Sequence, residues 1–266
     1  AYHAANTFGD VAKEYIDKMV AEERALATIT KANWLLEQLE PIAKFPLIEL
    51  KPMDVFAALK RIEARGKYET ARRCRSFASR VFRYGVATGR AESDPTAVLR
   101  GALITPKPKH HGALLEPEEV GELLRAIDAY VGTGITRIAM QIAPHMMARP
   151  GELRKATWSE FDLENAVWKV PADRMKMRRP HVVPLSRQVL AMLFELHALT
   201  GPNGYVFPAN HTWKRPLSEN TMNQAFRRMG YTAGEITAHG LRTTASTLLN
   251  ESGKWSPDAI ERSLAH

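Results

Sequence analysis

Residues 105–112 run Thr105-Pro106-Lys107-Pro108-Lys109-His110-His111-Gly112, and this stretch governs what the chain can fold into. Pro106 and Pro108 lack the amide donor of a helix interior and bias their predecessors toward extended backbone, while the neighbouring charges keep the segment in water. It reads as an extended connector. A chain of 266 residues with 45% hydrophobic content is long enough for two cores, one on each side of it. The expected division is a first domain over 1–104, a linker over 105–112 and a second domain over 113–266.

The first domain is predicted to be all-helical. Apolar residues recur at helical spacing near Thr7 to Ala25, Ala27 to Leu39, Pro52 to Arg65 and Tyr68 to Thr88, with Pro41, Pro46 and Gly66 as interruptions. In the last of these, Ala71, Cys74, Phe77, Ala78 and Val81 share one stripe. Residues 60–90 also carry ten Lys or Arg against Glu63 and Glu69, so most of the chain's net charge of +8 sits in one stretch. With the stripe turned to a core, Arg72, Arg73, Arg80 and Arg83 face outward. Arginine's planar fork can pair two oxygens of one phosphate.

The second domain is predicted to be mostly helical with one small antiparallel sheet. Pro117-Glu118-Glu119 place a proline and two acids in a first helical turn, where they suit its missing donors and its dipole. Short runs at Ala166 to Pro171 and His181 to Leu185 are rich in β-branched and aromatic residues and flank a basic stretch, Asp173-Arg174-Met175-Lys176-Met177-Arg178-Arg179. A hairpin with a cationic connection follows. Helical patterns return near Arg187 to Leu199, Ser218 to Met229, Ala238 to Glu251 and Pro257 to Leu264.

A net charge of +8 and a pI near 9.6 point to a polyanionic partner, and nucleic acid is favoured because no apolar run approaches a membrane span. The first residues lack the charged start and apolar stretch of a secretory signal. The lone Cys74 cannot make an internal disulfide, which suits a reducing cytoplasm, and its place in the apolar stripe marks it as packing. His110 and His111 could ligate a metal, but an adjacent pair without further partners reads as polar linker.

Polar residues in a fixed order carry the chemistry: Arg149 in Arg149-Pro150-Gly151-Glu152-Leu153-Arg154, Lys176 in the basic turn, His239 and Arg242 in Thr237-Ala238-His239-Gly240-Leu241-Arg242, and His266 in Leu264-Ala265-His266. Trp158-Ser159-Glu160-Phe161-Asp162 follows the first motif, and Pro180-His181 leads into Val183-Pro184-Leu185-Ser186. Attack on a phosphodiester builds charge on the non-bridging oxygens and the leaving oxygen, so such a site needs fixed donors and a proton source. Arg149 and Arg242 are suited to clamp the two non-bridging oxygens. His239 can hydrogen-bond the phosphate or assist proton removal, and Lys176 can protonate the leaving oxygen. Arg174, Arg178 and Arg179 are expected to make the Lys176 proton easier to lose by crowding it. His266 adds a donor, and Glu152 is expected to orient a neighbour rather than to react.

In order and spacing these motifs resemble the tyrosine recombinases, the phage-integrase family, and among them the prophage integrases that insert at tRNA genes, and it is this resemblance that assigns the roles of Arg149, Lys176, His239, Arg242 and His266 residue by residue. The resemblance covers the whole chain, with 7–100 similar to the family's core-binding domain and 113–266 to its catalytic domain. It implies a mainly α fold whose two domains clamp duplex DNA at attachment sites, with recombination through a 3′-phosphotyrosine and a free 5′-OH and with no metal or other cofactor. Further DNA contacts fall to Arg72, Arg73, Arg80, Arg83, Arg178 and Arg179. The implied partners are a homo-tetramer on DNA, from a chain monomeric in isolation, and DNA-bending or directionality proteins. The family's nucleophilic tyrosine follows the last histidine, whereas Tyr205 and Tyr231 precede His239 and read as packing residues. The sequence closes at His266, so a chain that binds DNA without cutting it is expected. Two other readings are weighed against this one. A non-catalytic sequence-specific DNA-binding protein accounts for the charge but not for the ordered Arg, Lys, His, Arg, His series. A metal-dependent nuclease lacks a carboxylate cluster and a zinc-spaced histidine pair.

Overall fold

The structure, a computed structural model, describes residues 6–107, 111–175 and 179–265. They fall into two compact units, Ala1–Pro108 and Lys109–His266. The mainly α architecture with a small antiparallel sheet is the one expected.

The first unit is built from α1 (Phe8–Ala21), α2 (Leu26–Gln38), α3 (Glu40–Ala43), α4 (Pro52–Glu63) and α5 (Tyr68–Ala87). Thr7 caps α1 by accepting from the Asp10 amide at 3.2 Å, which satisfies one of the donors a helix start leaves open. The long α5 packs on α1, α2 and α4. Its stripe of Ala71, Cys74, Phe77, Ala78 and Val81 is fully buried, as its spacing requires. Burying a Phe or Val of this kind contributes about 1.5–3 kcal/mol. Burial also pushes the Cys74 thiol up to about 12, so it stays a neutral core group. Gly85 lets α5 approach the turn Leu47–Glu49, since a Cβ there would lie 2.2 Å from Leu47 Cδ2. The buried Glu63 carboxylate accepts from Lys60 Nζ and from the Ile104 amide, each at 2.7 Å, and ties the end of this unit to α4.

The second unit contains α6 (Pro117–Asp128), α7 (Gly134–Met146), α8 (Pro150–Arg154), β1 (Phe161–Asp162), β2 (Val167–Val170), β3 (His181–Pro184), α9 (Arg187–Thr200), β4 (Pro208–Ala209), β5 (Thr212–Pro216), α10 (Thr221–Arg228), α11 (Gly240–Glu251) and α12 (Pro257–Ser263). Strands β1, β2 and β3 form an antiparallel sheet in that order, with Trp168 opposite Phe161 on one side and Val183 on the other. Trp168 is fully buried, stacks on Phe161 at 5.4 Å, and donates from its indole to Glu160 at 2.8 Å. A second two-stranded sheet, β4 with β5, had no counterpart in the sequence reading. Nor had α7, which packs on α6, α9, α10 and α11.

Gly112 was read as the last residue of the linker, yet it is buried in this unit. Its carbonyl accepts from the Thr237 amide at 3.1 Å.

Candidate active site

Arg149 stands at the start of α8 with Pro150 at the first helical position, where a missing amide costs nothing. The Glu152 carboxylate, buried three residues on, accepts from the Arg149 amide at 3.0 Å and from Arg149 Nη1 at 2.8 Å. One acid therefore both caps the short helix and aims the guanidinium. Arg149 itself is half-buried.

The chain reaches Arg149 through a bend at the end of α7. Met147 closes that helix in the left-handed region, φ 46°, a conformation that costs a non-glycine residue on the order of 1–3 kcal/mol. Its side chain is buried against Ile260 and Leu264. Its carbonyl accepts from Arg242 Nη1 at 2.5 Å, and Arg242 Nη2 donates to the Leu264 carbonyl. Arg242 is thus a buried tie between α11, the bend before Arg149 and the end of α12. It lies inward with Leu241, because the two carbonyls replace its hydration. Burial first, then the nearby Arg149 guanidinium, lowers its pKa from the ordinary arginine value.

His239 lies just before α11 and is half-buried. The backbone leading to it is held from α10: Asn223 Oδ1 accepts from the Ala238 amide at 2.8 Å, while the Arg227 guanidinium donates to the carbonyls of Tyr231, at 2.6 Å, and Ile236. Burial lowers the His239 pKa from the ordinary imidazole value, and the charges of His111, Arg242 and Arg149 push the same way. Arg149, His239 and Arg242, scattered through the sequence, are therefore within electrostatic reach of one another. His111 joins them, its ring centroid 4.6 Å from that of His239. The sequence reading missed this contact by assigning His111 to polar linker.

Lys176, Arg178 and His266 lie outside the described residues. The arm leading to Lys176 is described up to Met175, so the expected crowding of Lys176 lies outside the described residues. The Arg174 guanidinium pairs with Glu160 and donates to the Glu152 carbonyl, so its charge is met by a carboxylate. Arg179 is exposed, on the wall of a cavity of about 520 Å³ that also meets Met147, Val183 and Arg262. Tyr205 is half-buried and its backbone bridges to Thr157. Tyr231 packs on the core, and burial raises its phenol's pKa above the usual value, which disfavours the phenolate.

In the first unit Arg72, Arg73, Arg80 and Arg83 are all exposed along α5. Arg72 and Arg73 pair with Glu69 at 3.7 and 2.9 Å. With Lys31, Arg75 and Ser76 the first three line a basic groove of about 390 Å³. Among the described residues, no three His, Cys, Asp or Glu side chains gather as a metal site, and no helix is long and apolar enough to cross a membrane.

The same two units are matched by family models: the phage integrase central domain over residues 8–102 and the phage integrase family over residues 113–266. The chain belongs to the phage integrase family. It is 39% identical over 231 residues to the integrase of enterobacteria phage P4, covering 82% of this chain and 52% of that protein. It is 36% identical over 282 residues to the putative protein IntB of Escherichia coli K12, covering 98% of this chain and 69% of that one. The chain thus spans about half of the first relative and about two thirds of the second. Its fold is similar to that of the lambda integrase chain in the structure of a lambda integrase dimer bound to a COC′ core site, with a TM-score of 0.77 at 20% identity over 98% of this chain and 74% of that one. It is similar also to the chain in the structure of a lambda integrase tetramer bound to a Holliday junction, with a TM-score of 0.76 at 20% identity over 98% and 77%.

Proposed function

We propose that this integrase-family chain binds duplex DNA at attachment sites and holds a scissile phosphate for site-specific strand cleavage and rejoining through a 3′-phosphotyrosine. The observation that carries this reading is the convergence of Arg149, His239 and Arg242 within electrostatic reach of one another, with Arg149 held by Glu152, Arg242 by the Met147 carbonyl and the backbone before His239 by Asn223. Donors fixed before the reaction stabilise the charge that develops on the phosphoryl oxygens without paying reorganisation at that moment. Arg149, aimed by Glu152, grips one non-bridging oxygen. Arg242, whose guanidinium has five donors, serves the other while its Nη atoms also hold Met147 and Leu264. A His239 kept below the ordinary imidazole pKa is neutral at physiological pH and can accept a proton or donate one hydrogen bond. Lys176 acts as general acid toward the 5′-oxygen, and His266 supplies a further donor.

Arg72, Arg73, Arg80 and Arg83, with Arg178 and Arg179, supply phosphate contacts that position DNA without reading bases. Four protomers on DNA, with DNA-bending or directionality proteins, complete the assembly. Cytoplasmic DNA is the substrate.

The experiment is a covalent-adduct assay. The full-length product of the gene is incubated with a suicide substrate carrying its attachment site, in chelator, and resolved by denaturing electrophoresis. A protein–DNA adduct that disappears with Arg149→Ala, while DNA binding persists, is the expected result. Binding without any adduct, in protein shown to be folded, would leave a DNA-binding protein that keeps a recombinase fold without its chemistry.

A further inference from the structure

The contact between His111 and His239 is built by backbone. The Gly112 carbonyl accepts from the Thr237 amide at 3.1 Å and from Thr237 Oγ1 at 3.4 Å, and Thr237 Oγ1 in turn accepts from the Gly240 amide at 2.9 Å. A Cβ on Gly240 would stand 1.8 Å from the Gly112 oxygen, and one on Gly112 would stand 2.5 Å from the Gly234 oxygen. Two segments cross here at a distance only glycine allows, one of them carrying the His239-Gly240-Leu241-Arg242 motif. The crossing delivers the exposed His111 ring onto the half-buried His239 ring, with centroids 4.6 Å apart and planes tilted by 55°. That spacing lies within the range of favourable ring contact.

We infer that His111 is a positioning residue for His239: anchored by the Gly112 crossing, its ring forms one wall of the His239 imidazole and fixes how that imidazole is presented. This rests on the reading of His239 as a phosphate-facing group. A ring free to turn about its terminal torsion samples a broad, roughly two-fold range, so a wall on one side narrows the directions in which its nitrogens point. The groups that face His239 are then His111, Arg242 and Arg149, all basic. Burial lowers the imidazole's pKa first and these neighbours add to it, and His111 is the one exposed enough to be replaced without opening the core.

Two measurements separate this role from an incidental contact. The first uses the 266-residue chain and follows the His239 ring nitrogens by NMR as pH is varied, in the parent, His111→Ala and His111→Phe. In the parent the His239 midpoint lies below the ordinary imidazole value. Losing the ring in His111→Ala shifts that midpoint upward and changes the tautomer balance, whereas His111→Phe keeps the wall and stays nearer the parent. The second measures single-turnover cleavage by the full-length protein. His111→Ala slows cleavage on the order of tenfold or more, as expected when a reacting group is misplaced, and His111→Phe restores most of the rate. His239 signals that titrate identically in the parent and His111→Ala would overturn the proposal, as would cleavage equally fast in those two. If the full-length parent forms no adduct at all, the recombinase reading fails by itself, and the titration still decides whether His111 positions His239.

Discussion

Glu152 receives two hydrogen bonds from Arg149, one from its backbone amide and one from its guanidinium, so the residue that ends one bend of the chain is also the residue that α8 aims. Because the carboxylate is buried, its charge is compensated chiefly through this pair. The arrangement makes the direction of Arg149 a property of local sequence, Arg149-Pro150-Gly151-Glu152, rather than of long-range packing.

Replacing Glu152 by Gln keeps the volume and removes the charge. A neutral amide oxygen binds an arginine roughly half as strongly as a carboxylate. The expected outcome is a loss of about 1–3 kcal/mol in stability, read by urea unfolding, with cleavage by the full-length protein slowed by about 10- to 100-fold through a loosened Arg149. DNA affinity should hardly change. Cleavage at the parental rate would show that Arg149 needs no such brace.

Glu160 accepts from three side chains, Arg174, the Trp168 indole and the Thr157 hydroxyl, in a place where the Arg174 and Glu160 side chains are only 17% and 9% exposed. Glu160→Ala leaves a half-buried guanidinium uncompensated and an indole donor unmet, which should cost about 3 kcal/mol. Glu160→Gln, which can still accept from Trp168, should cost less. Thermal unfolding of the three proteins orders them, and equal stability would mean that water replaces the carboxylate freely. The Arg174 side of this pair also fixes the described root of the Lys176 arm, so cleavage should fall in the same order.

Much of this was legible in the sequence where periodicity and contrast were strong. The α5 stripe alternates small and apolar residues with arginines, and each of its predicted core positions is buried. The helix α7 was missed although its period is visible, with Arg137, Gln141 and His145 four apart on the less buried side; Pro144, which reads as a helix breaker, sits inside its last turn. Strands β4 and β5 are short, and Thr212 to Pro216 shows no buried alternation. At the site, the Arg149–Glu152 pairing was local and could be anticipated. The Arg242 ties reach 95 and 22 residues along the chain, and the His111 contact depends on a glycine crossing. Spacing along a helix cannot report such partners.

The exposed arginines of α5 predict a steep salt dependence. Each phosphate neutralised on duplex DNA contributes about −0.9 to the slope of log K against log salt. Arg80→Ala should therefore weaken binding to specific and unrelated duplexes alike and make the slope shallower by about one, measured by fluorescence anisotropy across a salt series. Arg73→Ala should do less, since Arg73 is already shared with Glu69 at 2.9 Å. A loss confined to one base pair of the site would mean that these arginines read sequence.

Arg242 offers the sharpest separation of architecture from charge. Its two terminal nitrogens reach two carbonyls, Met147 and Leu264, that belong to different elements. Lysine has the charge but only a single ammonium on a flexible stem, so Arg242→Lys can satisfy one carbonyl and not both. Losing one buried charge-assisted hydrogen bond should cost about 1.5–3 kcal/mol. The loss should be local: amide exchange should quicken in α12, where Leu264 is released, while α9 keeps its protection. Arg242→Lys should also cut far more slowly than the parent in the full-length protein, although it binds DNA as well. If exchange in α12 is unchanged and only cleavage suffers, the carbonyl ties are incidental and Arg242 acts on the phosphate alone.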